Sequence, residues 1–298
     1  MSIKVGIIGM GSMGRIRKKF LDLHPGFELV AITDMNEKIA TQYPGTPFYP
    51  SWTNLLDAKL DAVFVCTFND VIPDIVCAAL KKGLHVFSEK PPGKTLQCIE
   101  RMISTHQEVS HKVLKFGFNH RFHGSVMYAK ELIESGRYGK IFWCRGFYGK
   151  SGDNQFETSW RSDKDKAGAG ILLDQGIHMV DLLIHFLGPI TGIKSEVMNY
   201  HWNIPVEDNA FALLKAASGA TALLHSSATH WRNRFSLEIG LEGALIHLDG
   251  ILSNSMTYAP EKVLIYEKNL NPTDHKVGEP PAIEKVFEGD KSWEFEIE

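Results

Sequence analysis

Apolar and polar positions alternate along this chain in two successive rhythms. Up to about residue 118, compact apolar runs are separated by stretches with helical periodicity. Ile3–Ile8, Glu28–Thr33, Ala62–Cys66, His85–Ser88 and Val113–Phe118 read as strands, and Ala62–Cys66 is continuous enough to be buried on both faces. Arg15–Leu23, Ile72–Lys82 (ended by Gly83) and Leu96–Val109 read as helices. Strand and helix in alternation predict a parallel, doubly wound sheet. The rhythm then changes. After a helix over Ser125–Ser135, short runs recur at Ile141–Tyr148, Ile193–His201, Ala210–Ala216, Ala220–Ser227, Phe235–Leu241, Ala244–Leu248 and Lys262–Tyr266. Ser218–Gly219 and Glu242–Gly243 supply hairpin-type turns, so these strands predict a mostly antiparallel sheet. The expected organisation is an α/β domain over residues 1–120 and an α+β domain over 121–298.

Composition narrows the reading. With 298 residues, 44% hydrophobic and 22% charged, the chain is long enough for two modest globular domains. A net charge of -3 offers no electrostatic footprint for nucleic acid. Cys66, Cys77, Cys98 and Cys144 form no CxxC pair, which argues against a disulfide framework or zinc and fits a reducing, cytoplasmic setting. The N-terminal apolar run, Val5–Ile8, is too short for a signal segment or membrane span.

Candidate chemistry begins at Gly9–Met10–Gly11–Ser12–Met13–Gly14, a GxGxxG between a strand and a helix. The first glycine makes the turn, the second admits a pyrophosphate, and the third lets helix pack on strand. The pyrophosphate sits on the helix N-terminus. Asp34, about twenty residues on at the end of the next strand, can accept bonds from ribose hydroxyls and would repel a 2′-phosphate. It therefore favours NAD over NADP. Thr67 and Asn69 follow the Ala62–Cys66 strand, at the edge where such cofactors bind. Glu89–Lys90–Pro91–Pro92 follows the His85–Ser88 strand, and its prolines stiffen a lysine over the same crevice.

A second constellation is Asp174–Gln175–Gly176–Ile177–His178–Met179–Val180–Asp181, leading into an apolar run that stops at Gly188–Pro189. On one α-helix Asp174, His178 and Asp181 share a face. They suit either a structural histidine satisfied by acids or a catalytic imidazole whose tautomer a carboxylate fixes. His120 and His123, three apart and without a third ligand, read as surface or core residues rather than a metal site.

Together these pieces resemble the Gfo/Idh/MocA family of nicotinamide-dependent oxidoreductases along nearly all of the chain. The resemblance is carried by Gly9–Gly14, Glu89–Lys90–Pro91, Gly117–Phe118–Asn119–His120–Arg121–Phe122, Trp160–Arg161 and the helix of Asp174, Gly176, His178 and Asp181. It implies that Lys90 contacts substrate and nicotinamide ribose. It also implies that His178 transfers the proton, that Asp174 binds substrate beside it, and that Trp160 and Arg161 lie near the nicotinamide end. Two departures stand out. Ile72 replaces a histidine usual in the cofactor loop, and relatives usually continue beyond Ser292–Glu296 into a further helix, so stability or activity is expected to suffer.

The expected reaction is oxidation of a secondary hydroxyl of a sugar, inositol, sugar acid or nucleotide sugar. His178 acts as general base and Lys90 stabilises the developing oxyanion, with no metal required. Arg121, Tyr148, Trp160 and His230–Trp231–Arg232 are candidate substrate contacts, by stacking or bidentate anion binding. The resemblance also implies a homodimer or homotetramer. A redox-neutral enzyme that regenerates its NAD, such as a glycosidase, and a non-catalytic NAD-binding regulator are the alternatives.

Overall fold

The computed structural model describes residues 2–253, 255–269 and 281–298. The chain forms two compact units. The first takes the chain up to Phe118 together with Asp165–Gly168 and Trp293–Glu298; the second takes Asn119–Lys164 and Ala169–Ser292. Local pattern puts the change of domain at residue 120. Here the change follows Phe118, and two later segments return to the first unit because of contacts that no local pattern encodes.

The first unit is built on six parallel strands: β1 (Ile3–Ile8), β2 (Phe27–Thr33), β3 (Phe48–Tyr49), β4 (Ala62–Val65), β5 (His85–Glu89) and β6 (Leu114–Gly117). Their order is β3-β2-β1-β4-β5-β6, the doubly wound arrangement that the alternating pattern predicts. The order reverses between β1 and β4, whose carboxyl ends carry Gly9 and Thr67. Helices α1 (Ser12–Leu23), α2 (Trp52–Leu55), α3 (Ile72–Lys81) and α4 (Leu96–Glu108) accompany the sheet. Ser51 and Thr95 cap α2 and α4 by accepting from Asn54 N and Cys98 N. Separate apolar cores, one around Val63, Ile72 and Leu80 and one around Val5, Ile7 and Phe64, hold the layers together.

One buried charge organises this unit. Arg17, on α1, is completely inaccessible. Its Nε donates to Glu89 Oε1 at 2.7 Å, and its Nη1 lies 2.6 Å from Glu296 Oε2. The guanidinium carbon lies 4.4 Å from the Phe87 ring centroid and 4.8 Å from that of Trp293. Gly117 must be glycine here, because a Cβ would come within 2.9 Å of Arg17 Nη2 and 3.1 Å of Glu89 Oε2. Lys115 Nζ donates to the Glu296 carbonyl, tying the last turn of chain to β6. Glu296 and Trp293 lie on α8 (Ser292–Ile297), so the final segment completes the first unit's interior.

The second unit is an eight-stranded sheet of β7 (Ile141–Gly149), β8 (Ile190–Met198), β9 (Asn209–Ala216), β10 (Thr221–Ser227), β11 (Arg234–Leu241), β12 (Ala244–Asp249), β13 (Glu261–Glu267) and β14 (Ile283–Phe287). Its order is β14-β13-β12-β11-β7-β10-β9-β8. Only β7 and β10 run parallel; the other pairs are antiparallel, as the hairpin signals predict. β14 and the two-residue β3 are absent from the sequence reading. Ile283–Phe287 buries none of its side chains fully and carries no alternating apolar signal. One face of the sheet packs on α5 (Gly124–Glu134) and α7 (Ile177–Leu187), burying Val126, Met179, Leu182, Leu224 and Leu237. The short α6 (Lys164–Ala167) precedes the turn into α7. The run Lys164–Leu187 has the length and hydropathy of a membrane span, yet Met179, Leu182 and Leu183 on α7 are fully buried in the second unit's core.

The Arg17 cluster makes stability pH-dependent. Burial pushes Glu296 up to about 7, opposed by Arg17 and reinforced by Glu89. The folded state therefore holds a proton that the unfolded state has lost above its ordinary carboxyl range. Stability from this group is greatest below pH 4.5 and is lost as pH rises to 7, by on the order of 3 kcal/mol. Glu296→Gln cannot ionise. Denaturant unfolding at pH 5, 6, 7 and 8 is expected to show a flatter profile for this variant, which gains on the wild type toward pH 8. Parallel profiles would contradict the assignment.

Candidate functional site

In the first unit the carboxyl ends of β1, β2 and β4 form a cradle. Gly9 has φ +92° and donates its N–H to Thr33 O at 2.9 Å; a Cβ there would sit 2.5 Å from Cys66 O. At Gly14 a Cβ would fall 2.0 Å from Gly9 O. Both glycines are thus required by the protein's own backbone. Gly11 differs. It has φ -65°, and a Cβ there would meet nothing within 4 Å. Neither conformation nor packing demands glycine at this position, so its meaning is open space over the first turn of α1. That is where a pyrophosphate would approach the exposed N–H groups. Asp34 is oriented by Met10 N (2.7 Å to Oδ2) and Asn36 N (2.9 Å to Oδ1), and each oxygen keeps a lone pair for a ribose hydroxyl. Among the described residues the buried Thr67 hydroxyl beside Gly9 has no hydrogen-bond partner, and a buried hydroxyl of this kind calls for a ligand atom. These residues fit a dinucleotide.

Asn69 is nearly inaccessible and donates to Ala167 O at 2.9 Å, so its amide holds the Asp165–Gly168 segment. Glu89 is spent on Arg17. Its role is to anchor the end of β5, directly before Lys90 and the cis Lys90–Pro91 bond.

In the second unit the helix of His178 begins irregularly. Leu172–Gly176 is one π-helical turn, followed by α7. Glu207 fixes its start by accepting from Gly170 N and Leu172 N at 2.8 and 3.1 Å. Gly176 lies so close to β10 that a Cβ would be 2.8 Å from Ser226 Oγ. The wider turn shifts Asp174 from the position an ideal α-helix gives it, a common device at functional sites. The two acids each engage an arginine. Asp181 accepts two bonds from Arg121, at 2.7 and 2.5 Å, and Asp174 accepts from Arg161 Nε at 3.1 Å. Arg161 in turn lies over the Trp160 ring, 4.7 Å from its centroid. Arg121, expected to bind substrate, therefore spends its planar fork on the helix.

His178 is buried and stacks on His120, with ring centroids 3.8 Å apart and planes inclined by 16°. His120 Nε2 lies 3.2 Å from the Tyr148 hydroxyl, and Tyr148 is buried edge-on to Tyr258. Burial, with lesser contributions from Tyr258 and Asp174, pushes the Tyr148 hydroxyl well above its ordinary range, so it stays protonated. His123 is a core residue bonded to the buried Glu261 at 2.8 Å. Burial alone would raise Glu261; His123 and the N–H groups of Leu252 and Ser125 hold it below the usual range. Sequence reasoning separates neither His120 from His123 nor Arg17 from a surface arginine, since no spacing signal marks their partners. Trp231 is 59% exposed, has φ +59°, and packs on His201 and Trp202.

Comparison with known proteins matches both parts of the chain. Residues 3–117 match the profile of an oxidoreductase family, NAD-binding Rossmann fold, and residues 126–246 match a GFO/IDH/MocA C-terminal domain. The inositol 2-dehydrogenase/D-chiro-inositol 3-dehydrogenase of Lacticaseibacillus casei is 34% identical over 143 residues, covering 46% of this chain and 41% of that protein. Levoglucosan dehydrogenase of Pseudarthrobacter phenanthrenivorans is 25% identical over 288 residues, covering 82% and 73%. A solved levoglucosan dehydrogenase in complex with NADH has a TM-score of 0.80 at 22% identity, over 92% of this chain and 81% of that one, which is a likeness of fold.

The glycine roles separate by experiment. Gly11→Ala should leave thermal stability unchanged or slightly raised while weakening NADH binding, read by fluorescence titration, by about tenfold or more. Gly14→Ala should lower the melting temperature or prevent folding. Unchanged NADH affinity in Gly11→Ala would show that no ligand uses that space.

Proposed function

Since this chain belongs to the GFO/IDH/MocA family of oxidoreductases, we propose that it is an NAD-dependent dehydrogenase that oxidises a secondary hydroxyl of a polyhydroxylated small molecule. The observation that carries this is the cradle of Gly11, Asp34 and the partnerless Thr67 hydroxyl at the edge of the parallel sheet. Two relatives named above are dehydrogenases of inositol and levoglucosan, and that supports the substrate class. The Asp34 carboxylate supports NAD over NADP, because it would face a 2′-phosphate with like charge.

Bound NAD supplies the acceptor for the carbinol hydride. The chain's own residues do the rest. His178, neutral, accepts the hydroxyl proton. Lys90 carries the positive charge that steadies the developing alkoxide. Asp174, held by Arg161, accepts from a neighbouring hydroxyl and so fixes which carbon reacts. In the reverse direction the protonated His178 returns its proton to the carbonyl oxygen. The four free thiols fit a reducing, cytoplasmic setting.

The second unit's outer sheet face supports a homo-oligomer. Register places Trp143 on β7, Leu213 and Phe211 on β9 and Leu223 on β10 on one side, and each is 41–52% exposed. A contiguous apolar patch of this kind marks an interface. Sedimentation velocity is expected to give a dimer or tetramer that Leu223→Lys dissociates; a monomeric wild type would refute it.

NADH formation, followed by absorbance across sugars, inositols, sugar acids and nucleotide sugars, tests the reaction. Net NADH is expected for at least one class, with kcat falling about 100-fold or more in His178→Ala. NADP in place of NAD is expected to lower kcat/KM by at least about tenfold. NAD binding without turnover anywhere in the panel would favour a redox-neutral enzyme or a regulator.

A further inference from the structure

His120 matches no expected role, yet it is the residue in closest parallel contact with His178. The hydrogen on its Nδ1 follows from the direction of one hydrogen-bonded chain. Asp290 Oδ1 lies 2.6 Å from Ser292 Oγ, and a carboxylate only accepts, so the Ser292 proton points to Asp290. Ser292 Oγ must then accept from Asn119 Nδ2, at 3.1 Å. That fixes the orientation of the Asn119 amide and leaves its Oδ1 facing His120 Nδ1 at 3.1 Å. An amide oxygen only accepts, so His120 Nδ1 carries a hydrogen. At the other end of the ring, Nε2 lies 3.2 Å from the Tyr148 hydroxyl, which keeps its proton in its buried site and can donate to a bare Nε2. With Tyr148 as the donor there, His120 has one N–H and one lone pair, both engaged, in a buried position. The rings of His178, Tyr148 and Phe235 and the edge of His123 lie against it, and His123's own nitrogen is bound to Glu261.

Building on the general-base reading of His178, we propose that His120 is its positioning residue: a neutral Nδ1–H imidazole that fixes the plane of the His178 ring and offers an uncharged face when that ring gains its proton. Two stacked imidazoles 3.8 Å apart repel if both are charged. A neutral ring instead presents its π-face to the cation, which is attractive. The chain from Asp290 to Tyr148 holds His120 in the one state that permits this. Tyr148 thereby spends its proton on His120, and toward a substrate it can only accept.

The test has two arms, the first independent of turnover. ¹⁵N spectra of histidine side chains in the cofactor-free protein, with His120 assigned by loss of its signals in His120→Phe, should show a neutral Nδ1–H ring that does not titrate between pH 5.5 and 8.5. In Tyr148→Phe, which removes the donor to Nε2, the His120 signals should begin to titrate. A His120 that titrates in the wild type, or carries its proton on Nε2, overturns the proposal while leaving the dehydrogenase reading intact. In the second arm, on whichever substrate turns over, His120→Phe keeps a neutral ring and should lose less than about tenfold in kcat. His120→Ala should lose about 100-fold, with substrate KM within about threefold. Equal losses in the two variants, with both folded by circular dichroism, would also overturn it. If no substrate turns over, the dehydrogenase reading fails and the spectra still decide the state of His120.

Discussion

A buried guanidinium is the constraint on which the first unit depends. Arg17 is wholly removed from water, a state that is tolerated only with carboxylate partners and close packing on all sides. Glu89 supplies the countercharge, Glu296 completes the carboxyl lining, and Phe87 and Trp293 lie against the guanidinium as cation–π partners. The partners come from two distant stretches of chain, β5 and α8, so one side chain gathers the helix after the glycine loop, the end of β5 and the last helix. Gly117 at the end of β6 leaves the room it needs. Three motifs that look separate along the sequence, Gly9–Gly14, Glu89–Lys90–Pro91 and Gly117–Phe122, thus meet at a single charge. The acid of Glu89–Lys90–Pro91 is there for Arg17, and the lysine is held because its neighbour is.

The second unit solves a related problem with neutral groups that end on a carboxylate. Tyr148, His120, Asn119, Ser292 and Asp290 are joined one to the next by hydrogen bonds. Fully satisfied networks of this kind fix side-chain orientation more firmly than packing does. The acids Asp174 and Asp181 each pair with an arginine of their own, Arg161 and Arg121. The π-helical turn lets Asp174 and His178 sit on one helical segment while breaking the even spacing that would stack them.

Much of the fold was legible because apolar burial leaves a period in the sequence. β1, β4 and β5 are buried on both faces and read as continuous runs; β10, β12 and β13 alternate, with one face on the helices. β14 was not legible, since an edge strand with every side chain at least partly exposed has no such period. The glycine loop and Asp34 were legible because the backbone there demands special residues. Arg17 was not. Its partners lie far along the chain, and a charged residue on an amphipathic helix has an ordinary place in solvent. His120 was missed for the same reason: its role depends on Tyr148 and Ser292, which only the folded sheet and the end of the chain bring near. The π-helical turn was beyond reach as well, because hydrophobic periodicity does not report a single widened turn.

The path of the chain gives the Arg17 cluster a temporal side. A ribosome delivers Arg17 and Glu89 early, but Trp293 and Glu296 emerge roughly 200 residues after Glu89, some 10–40 s later at ordinary rates of synthesis. Once Gly117 has followed, the nascent first unit has every strand of its sheet and only half of the lining for its central cation. Its interior there must stay wet or be shielded by other factors until the final helix arrives. A fragment cut after Phe118 would be left permanently in that condition, so the dinucleotide unit, although continuous to the eye over its strands, is not separable from the far end of its own chain.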